Sequence, residues 1–202
     1  FEELFRNSSI RATSLVSKEK EHDLKIAVLG AGALGCAMGS CLSEAGHELW
    51  LINRRADHVQ AMNRNGLMVR VNGVDRPIAV KAVCTALEIA AQTGPMDLIV
   101  VLVKSFHTHE AISSATSIIG PNTVVLSLQN GLGHEDVLAE VVGREKVVAG
   151  KTYAGGVMLG AGHIIRGTEG KETYIGELDG RLTDRVKRIA HAFNDAGLIT
   201  HI

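Results

Sequence analysis

The sequence predicts an α/β fold with a doubly wound, mostly parallel sheet and additional strands. Composition is the first reason, because 46% of the 202 residues are apolar and only 3% are aromatic. A core of Val, Ile, Leu and Ala is typical of a parallel sheet covered by helices. The second reason is that short apolar segments alternate with segments of helical spacing. The third is a glycine-rich turn directly after the first apolar segment.

This glycine-rich turn separates a predicted strand at residues 24–29 from a predicted helix at residues 33–45, which Gly46 ends. In a dinucleotide-binding βαβ unit the first glycine makes the tight turn, the second lets the backbone approach a pyrophosphate, and the third packs the helix on the strand. The helix N-terminus offers free N–H groups to the anion. We therefore predict a Rossmann-type sheet whose pyrophosphate loop consists of Gly30, Ala31, Gly32, Ala33, Leu34 and Gly35.

The predicted second strand, at residues 48–52, ends in Asn53, Arg54 and Arg55. An NAD site has an Asp or Glu about 20 residues past the glycines, which accepts hydrogen bonds from the ribose 2′-OH. Here Arg54, with Arg55 beside it, offers guanidinium donors that suit a 2′-phosphate. The alternative is a pair of solvated surface arginines. With the glycine turn upstream, the sequence favours NADP over NAD.

The alternation of helices and strands continues along the chain. Residues 97–103 form a continuous apolar run, as expected of a central strand buried on both faces. An antiparallel pair at residues 67–71 and 77–80 is predicted around the turn Asn72-Gly73. The other predictions are helices at 57–65, 84–91, 107–118, 134–142 and 181–196, strands at 123–128, 146–150, 174–176 and 198–202, and strands with loops in 153–170.

Two polar residues follow predicted central strands. Lys104 comes after the strand at 97–103 and Asn130 after the strand at 123–128. Open α/β sheets bind their ligands at the carboxyl ends of the strands, so both are candidates for contact with cofactor or substrate. The alternatives are a solvated lysine in a loop and an Asn-Gly turn that supplies positive φ.

Charge and cysteine content narrow the functional classes. The net charge of −1 provides no basic face for nucleic acid and no polybasic segment for anionic lipid, and no apolar run is long enough to span a bilayer. We expect a cytoplasmic protein that binds small molecules. Cys36, Cys41 and Cys84 have no paired spacing and are interpreted as small buried apolar residues. His107 and His109 are two residues apart on a predicted helix, so no metal site is expected.

Two predicted regions make up the chain. Residues 1–23 are charged and Ser-rich without periodicity, which predicts a flexible N-terminal extension. Residues 24–202 are predicted to form one dinucleotide-binding domain.

Several motifs occur together in an order that resembles the ketopantoate reductases (2-dehydropantoate 2-reductases). They are G-A-G-A-L-G at 30–35, G-H-E-L at 46–49, Arg54, V-K-S at 103–105, L-Q-N-G at 128–131, G-H-I-I-R-G-T-E-G at 162–170 and I-G-E at 175–177. The resemblance covers residues 25–202 and corresponds to the N-terminal NADP-binding domain of that family.

The resemblance implies NADPH-dependent reduction of ketopantoate to pantoate, on the route to pantothenate and coenzyme A. It implies that residues 30–35 hold the pyrophosphate, that Arg54 holds the 2′-phosphate, and that Lys104 and Asn130 lie near the nicotinamide ribose and the substrate in supporting catalytic roles. Gly156 corresponds to a further backbone contact with the cofactor.

In that family the main proton donor is a lysine of a second, all-helical domain. It would lie beyond Ile202, so we expect this chain to be one domain of a longer protein that forms a homodimer through the helical domain. Two alternatives remain open: a family reductase acting on another 2-oxo acid, and a non-catalytic NADP-binding regulatory module.

Overall fold

The computed structural model of the protein describes residues 23–202, so the predicted extension at residues 1–23 lies almost entirely outside the described residues. Its helices are α1 (Ala33–Glu44), α2 (Ala56–Asn65), α3 (Ala86–Thr93), α4 (Thr108–Ser114), α5 (His134–Val142) and α6 (Asp184–Asp195). Single-turn 3₁₀ helices lie at Ser105–His107, Thr116–Ile118 and Arg144–Lys146. No helix in residues 23–202 is long and apolar enough to cross a membrane.

The main sheet has eight strands in the order β5-β2-β1-β6-β7-β8-β11-β12. Neighbouring strands are parallel except for the pair β8 and β11. Crossovers run from β1 outward in both directions, which confirms the predicted doubly wound sheet. These strands are β1 (Lys25–Leu29), β2 (Glu48–Ile52), β5 (Lys81–Val83), β6 (Leu98–Val101), β7 (Val124–Ser127), β8 (Val147–Thr152), β11 (Thr173–Glu177) and β12 (Thr200–His201).

A second sheet of four strands packs against α1. Its order is β4-β3-β10-β9, formed by β3 (Leu67–Val71), β4 (Val74–Ile78), β9 (Gly155–Gly160) and β10 (His163–Gly167). The predicted Asn72-Gly73 turn joins β3 to β4, with φ of 50° and 79° at its two residues. Positive φ at both central residues is the type I′ geometry that favours a tight hairpin.

Side chains of the central strands alternate between two apolar layers. Ile26 and Val28 of β1 face one layer, which includes the buried face of α1, whereas Ala27 and Leu29 face the other. All four residues are at most 4% exposed. The continuous apolar runs in β1, β6 and β7 follow from this burial on both faces.

Several elements of the structure differ from the sequence predictions. The segment predicted as one helix at 107–118 is α4 between two 3₁₀ turns. The second hairpin strand is Val74–Ile78 and not 77–80, because the tight Asn72-Gly73 turn places Val74 opposite Val71. The strand Lys81–Val83 was missed, since only three residues carry its pattern. Helix α3 therefore begins at Ala86, two residues later than predicted. Thr85 precedes the helix and forms a capping box with Glu88 of the first turn.

Candidate cofactor site

A cavity of about 460 Å³ opens where β1, β2 and β6 end. This is the point where the crossovers from β1 change direction, the usual ligand position in an open α/β sheet. The cavity brings together four predicted site residues: Gly30, Gly32, Arg54 and Lys104. The strands thus gather residues that are separated by more than seventy positions in sequence.

Gly30 makes the turn at the end of β1. Its φ is +106°, and a Cβ atom at this position would lie 2.6 Å from the backbone nitrogen of Val103. The residue is therefore restricted to glycine by backbone conformation and by the close approach of the chain after β6. Its N–H donates to the carbonyl of Ile52 at 3.2 Å, which ties the turn to the end of β2.

Gly32 and Gly35 have different surroundings. A Cβ on Gly35 would lie 2.4 Å from the carbonyl oxygen of Gly30, whereas a Cβ on Gly32 would have no atom within 4 Å. Gly35 therefore lets α1 pack on the turn, while Gly32 leaves open space beside the loop. The first hydrogen bond within α1 runs from the Cys36 N–H to the Gly32 carbonyl at 2.8 Å. The backbone N–H groups of α1 that come before Cys36 therefore have no partner within the helix.

Three side chains hold the loop through the carbonyl of Ala31. It accepts hydrogen bonds from Asn53 Nδ2 at 2.6 Å, from His58 Nε2 at 3.1 Å and from Cys36 Sγ at 3.4 Å. Burial raises the pKa of the Cys36 thiol to about 12, so the thiol stays protonated and remains a donor. These three hydrogen bonds fix the position of the Ala31 carbonyl within the loop.

His58 connects the loop to the second sheet. The residue is 1% exposed, and its Nδ1 accepts a hydrogen bond from Gly162 N–H at 2.8 Å. The proton of the neutral ring is therefore on Nε2, which donates to Ala31. Burial lowers the pKa of His58 because it penalises the charged form. A neutral histidine thus joins the glycine turn to the hairpin between β9 and β10.

Arg54 reaches across the mouth of the cavity to α4. Its Nη1 donates to both carboxylate oxygens of Glu110 at 3.3 Å, and its Nη2 lies 3.0 Å from His107 Nε2. The side chains of Arg54 and Glu110 are 66% and 67% exposed, so the pair lies in solvent. Arg55, in contrast, pairs with Asp57 of its own helix at 2.5 Å. Arg54 is therefore the arginine directed across the cavity mouth.

Lys104 is exposed where the chain leaves β6. Gln129 holds this segment, since its Nε2 donates to the Val103 carbonyl at 2.9 Å and to Thr108 Oγ1 at 2.8 Å. Among residues 23–202, Lys104 Nζ makes no hydrogen bond or ion pair. The backbone at Lys104 is fixed while its ammonium group is available.

Asn130 and Gly156 do not line the cavity. Asn130 is exposed after β7, and the ring of His134 holds its carbonyl at 2.9 Å. Gly156 lies in β9, where a Cβ would be 2.6 Å from the carbonyl oxygen of Ala33. Gly156 thus permits β9 to pack against the first turn of α1. The cofactor contacts predicted for Asn130 and Gly156 stay predictions.

Sequence reasoning missed the residues that support the site. Asn53 stands beside Arg54, yet its role depends on a backbone carbonyl that no side-chain pattern indicates. His58 lies on a helix 27 positions from Ala31, and nothing in its local sequence predicts that contact. Glu110 was assigned no role, although it is three residues after His107 and therefore on the same helical face.

This chain is similar to known proteins of one family. A family model described as "Ketopantoate reductase PanE/ApbA" matches residues 26–180. The curated 2-dehydropantoate 2-reductase of Pyrococcus abyssi is 37% identical over 89% of this chain and 56% of its own length. That of Archaeoglobus fulgidus is 32% identical over 86% of this chain and 54% of its own length. The chain thus spans about half the length of these curated relatives.

Solved structures give the same architecture. The crystal structure of 2-dehydropantoate 2-reductase from Geobacter metallireducens aligns with a TM-score of 0.78 at 31% identity, over 87% of this chain and 56% of that one. A ternary structure of D-mandelate dehydrogenase with NADH and anilino(oxo)acetate aligns with a TM-score of 0.80 at 29% identity, over 87% of this chain and 55% of that one.

Proposed function

The chain belongs to the ketopantoate reductase family, and we propose that it binds NADPH and provides the cofactor-binding part of a 2-dehydropantoate reductase. The observation that carries the proposal is the cavity at the ends of β1, β2 and β6, with the glycine turn on one side and Arg54 at its mouth. The proposed substrate, 2-dehydropantoate, is the one named for the P. abyssi and A. fulgidus relatives.

The residues fit a dinucleotide. The open space beside Gly32 and the first amides of α1 suit the pyrophosphate, which favours a helix N-terminus. Arg54 presents its guanidinium at the end of β2, where the fingerprint places the adenosine ribose. An arginine there suits a 2′-phosphate because its planar donor set matches phosphate oxygens.

NADPH would supply the hydride that reduces the keto carbon of the substrate. The contribution of this chain is to bind and orient. Lys104 and Asn130 follow the adjacent strands β6 and β7, and both side chains are exposed at the same edge of the sheet. We propose that the Lys104 ammonium and the Asn130 amide bind polar groups of the nicotinamide ribose and of the substrate. Homodimer formation and a cytoplasmic location stay predictions of the family resemblance.

A second candidate keeps the reaction type and changes the substrate. The D-mandelate dehydrogenase structure shares the fold at 29% identity, and it contains NADH with anilino(oxo)acetate, itself a 2-oxo acid derivative. A reductase for an aromatic 2-oxo acid is therefore the alternative to a 2-dehydropantoate reductase.

The test is oxidation of NADPH by the purified full-length protein, followed by absorbance, with 2-dehydropantoate or with benzoylformate, the 2-oxo acid that corresponds to mandelate. The proposal expects a higher kcat/KM for 2-dehydropantoate. A higher value for benzoylformate would establish the second candidate. If the full-length protein binds NADPH saturably and reduces neither acid, a non-catalytic cofactor-binding module would be supported.

A further inference from the structure

Glu110 is the one carboxylate among the described residues that line the cavity. It lies on α4, beyond the end of β6, and reaches back over the cavity mouth to Arg54 at the end of β2. Arg54 Nη1 is 3.3 Å from each of its two oxygens. The carboxylate thus engages Nη1, one of the nitrogens that would bind a 2′-phosphate.

His107 completes a closed triangle with these two side chains. Its Nε2 accepts from Arg54 Nη2 at 3.0 Å, so the ring proton is on Nδ1, which faces Glu110 Oε2 at 3.3 Å. Both terminal nitrogens of the Arg54 guanidinium therefore have a partner: Nη1 contacts Glu110 on α4, and Nη2 contacts His107, the residue just before α4. An anion that binds Arg54 through its terminal nitrogens therefore competes with these contacts.

We propose that Glu110 is a specificity-determining residue that competes with the 2′-phosphate for Arg54 and thereby lowers the preference for NADPH over NADH. The inference rests on the proposed function, because it concerns the adenosine end of the same cofactor site. Glu110 acts without touching the reacting atoms.

The charges explain why Glu110 should weaken the binding of NADPH and not that of NADH. A 2′-phosphate carries close to two negative charges at neutral pH, so it can displace a carboxylate from Arg54. Glu110 then remains beside the phosphate as an uncompensated like charge, which lowers the gain from that contact. NADH has a hydroxyl at this position, and the pair of Arg54 and Glu110 stays intact when it binds. The carboxylate therefore penalises one cofactor and not the other.

The neighbouring ion pair provides a matched control. Arg55 and Asp57 are also exposed, at 63% and 58%, and Arg55 also lines the cavity. Asp57 contacts Arg55 and makes no bond to Arg54. Replacement of Asp57 by Asn removes the same charge from the same region without freeing Arg54.

The experiment measures the Kd of NADPH and of NADH for the unchanged chain, Glu110→Gln and Asp57→Asn by fluorescence titration. We expect Glu110→Gln to bind NADPH about fivefold more tightly, the factor that one unit-charge interaction supplies in a solvent-exposed setting. Its Kd for NADH should stay within about twofold, since the lost pair is exposed. Asp57→Asn should leave the ratio of the two Kd values unchanged.

Three results would overturn the inference. An unchanged ratio in Glu110→Gln would show that the carboxylate does not compete. An equal rise of the Kd ratio (NADH over NADPH) in Asp57→Asn would show that general charge or the release of Arg55, and not the contact of Glu110 with Arg54, controls selectivity. If the unchanged chain binds neither cofactor, the proposed function fails and this inference fails with it.

Discussion

The carboxyl edge of the main sheet has two halves with opposite character. The glycine-turn half comprises the ends of β1 and β2, and it contains Ala31, Asn53 and His58, whose polar groups are buried or bonded to one another. The outer half comprises the ends of β6 and β7, with Lys104, Asn130 and Leu132. There the polar side chains are exposed, and Leu132 is 99% exposed.

The difference separates two requirements of a binding site. A loop that is already held in one conformation loses little entropy when a ligand binds, so the glycine-turn half is built to bind tightly. The outer half has a fixed backbone, through Gln129 and His134, and side chains free to meet a ligand. Substitutions of the buried or bonded residues of the first half should therefore change stability. Substitutions of residues that face the cavity or the solvent, in either half, should change binding.

The largest effect is expected for Gly30→Ala. Its φ of +106° and the clash with Val103 should lower the free energy of unfolding by about 3 kcal/mol, as strain and overpacking together do. The check is chemical denaturation, with Gly32→Ala as the matched control. Gly32→Ala should change stability by less than about 0.5 kcal/mol, yet weaken NADPH binding, because the new methyl group enters the open space beside the loop.

Equal stability losses in the two glycine variants would contradict this division. The same is true if Gly32→Ala binds NADPH as tightly as the unchanged chain, because the pyrophosphate would then lie elsewhere.

His58→Leu tests the buried connection. It removes a donor to Ala31 and leaves the buried Gly162 N–H without its acceptor, so stability should fall by about 2 kcal/mol. Thermal unfolding measures this loss, and His58→Gln, which keeps an acceptor and a donor, should recover part of it. A stability equal to that of the unchanged chain in His58→Leu would show that the turn does not depend on this residue.

His58 also predicts a pH dependence. Its folded-state pKa is lowered below the ordinary value of 6.5, so the unfolded chain binds the proton first as pH falls. Its contribution to stability is complete above that value and is lost as pH falls through it toward the folded-state pKa. Glu177, whose pKa is lowered from 4.5 by Arg185, titrates below this window. The loss of Tm between pH 7 and about pH 5.5 should be smaller in His58→Gln; an equal loss would contradict the assignment.

The smallest effects on stability belong to the outer half. Lys104→Ala and Asn130→Ala should each change the free energy of unfolding by less than about 0.5 kcal/mol, as exposed substitutions do. Both should weaken binding of NADPH or substrate if the proposed roles are right. Denaturation with parallel titrations separates the two readouts, and a large loss of stability in Asn130→Ala would assign the residue to the fold.

The sequence predicted the features that depend on local chemistry. The glycine spacing of residues 30–35, the turn Asn72-Gly73 and the apolar runs of β1, β6 and β7 each follow from rules that apply within a short segment. The helix α5 and the strands β2 and β3 have the predicted bounds. Arg54 was predicted from its distance past the glycines, and Lys104 because strand ends in a parallel sheet meet at one edge, and both residues line the cavity.

The remaining features depend on contacts between distant residues. The partners of Arg54 lie more than fifty positions away, and Gly162 is 104 positions from His58. No short-range pattern specifies such pairs. The edge strand β5 and the division of 107–118 into shorter helices likewise depend on packing against the sheet.

The central claim, that Arg54 makes this an NADP site, is tested most directly by the Kd of NADPH and of NADH for the unchanged chain and for Arg54→Ala. Arg54 is exposed and contacts only solvent-facing groups in the described part of the chain, so its replacement should leave the fold intact. We expect Arg54→Ala to weaken NADPH binding by about tenfold or more, the value of a charged hydrogen-bonded contact, with little change for NADH. An unchanged preference for NADPH in Arg54→Ala, or a preference of the unchanged chain for NADH, would contradict the claim.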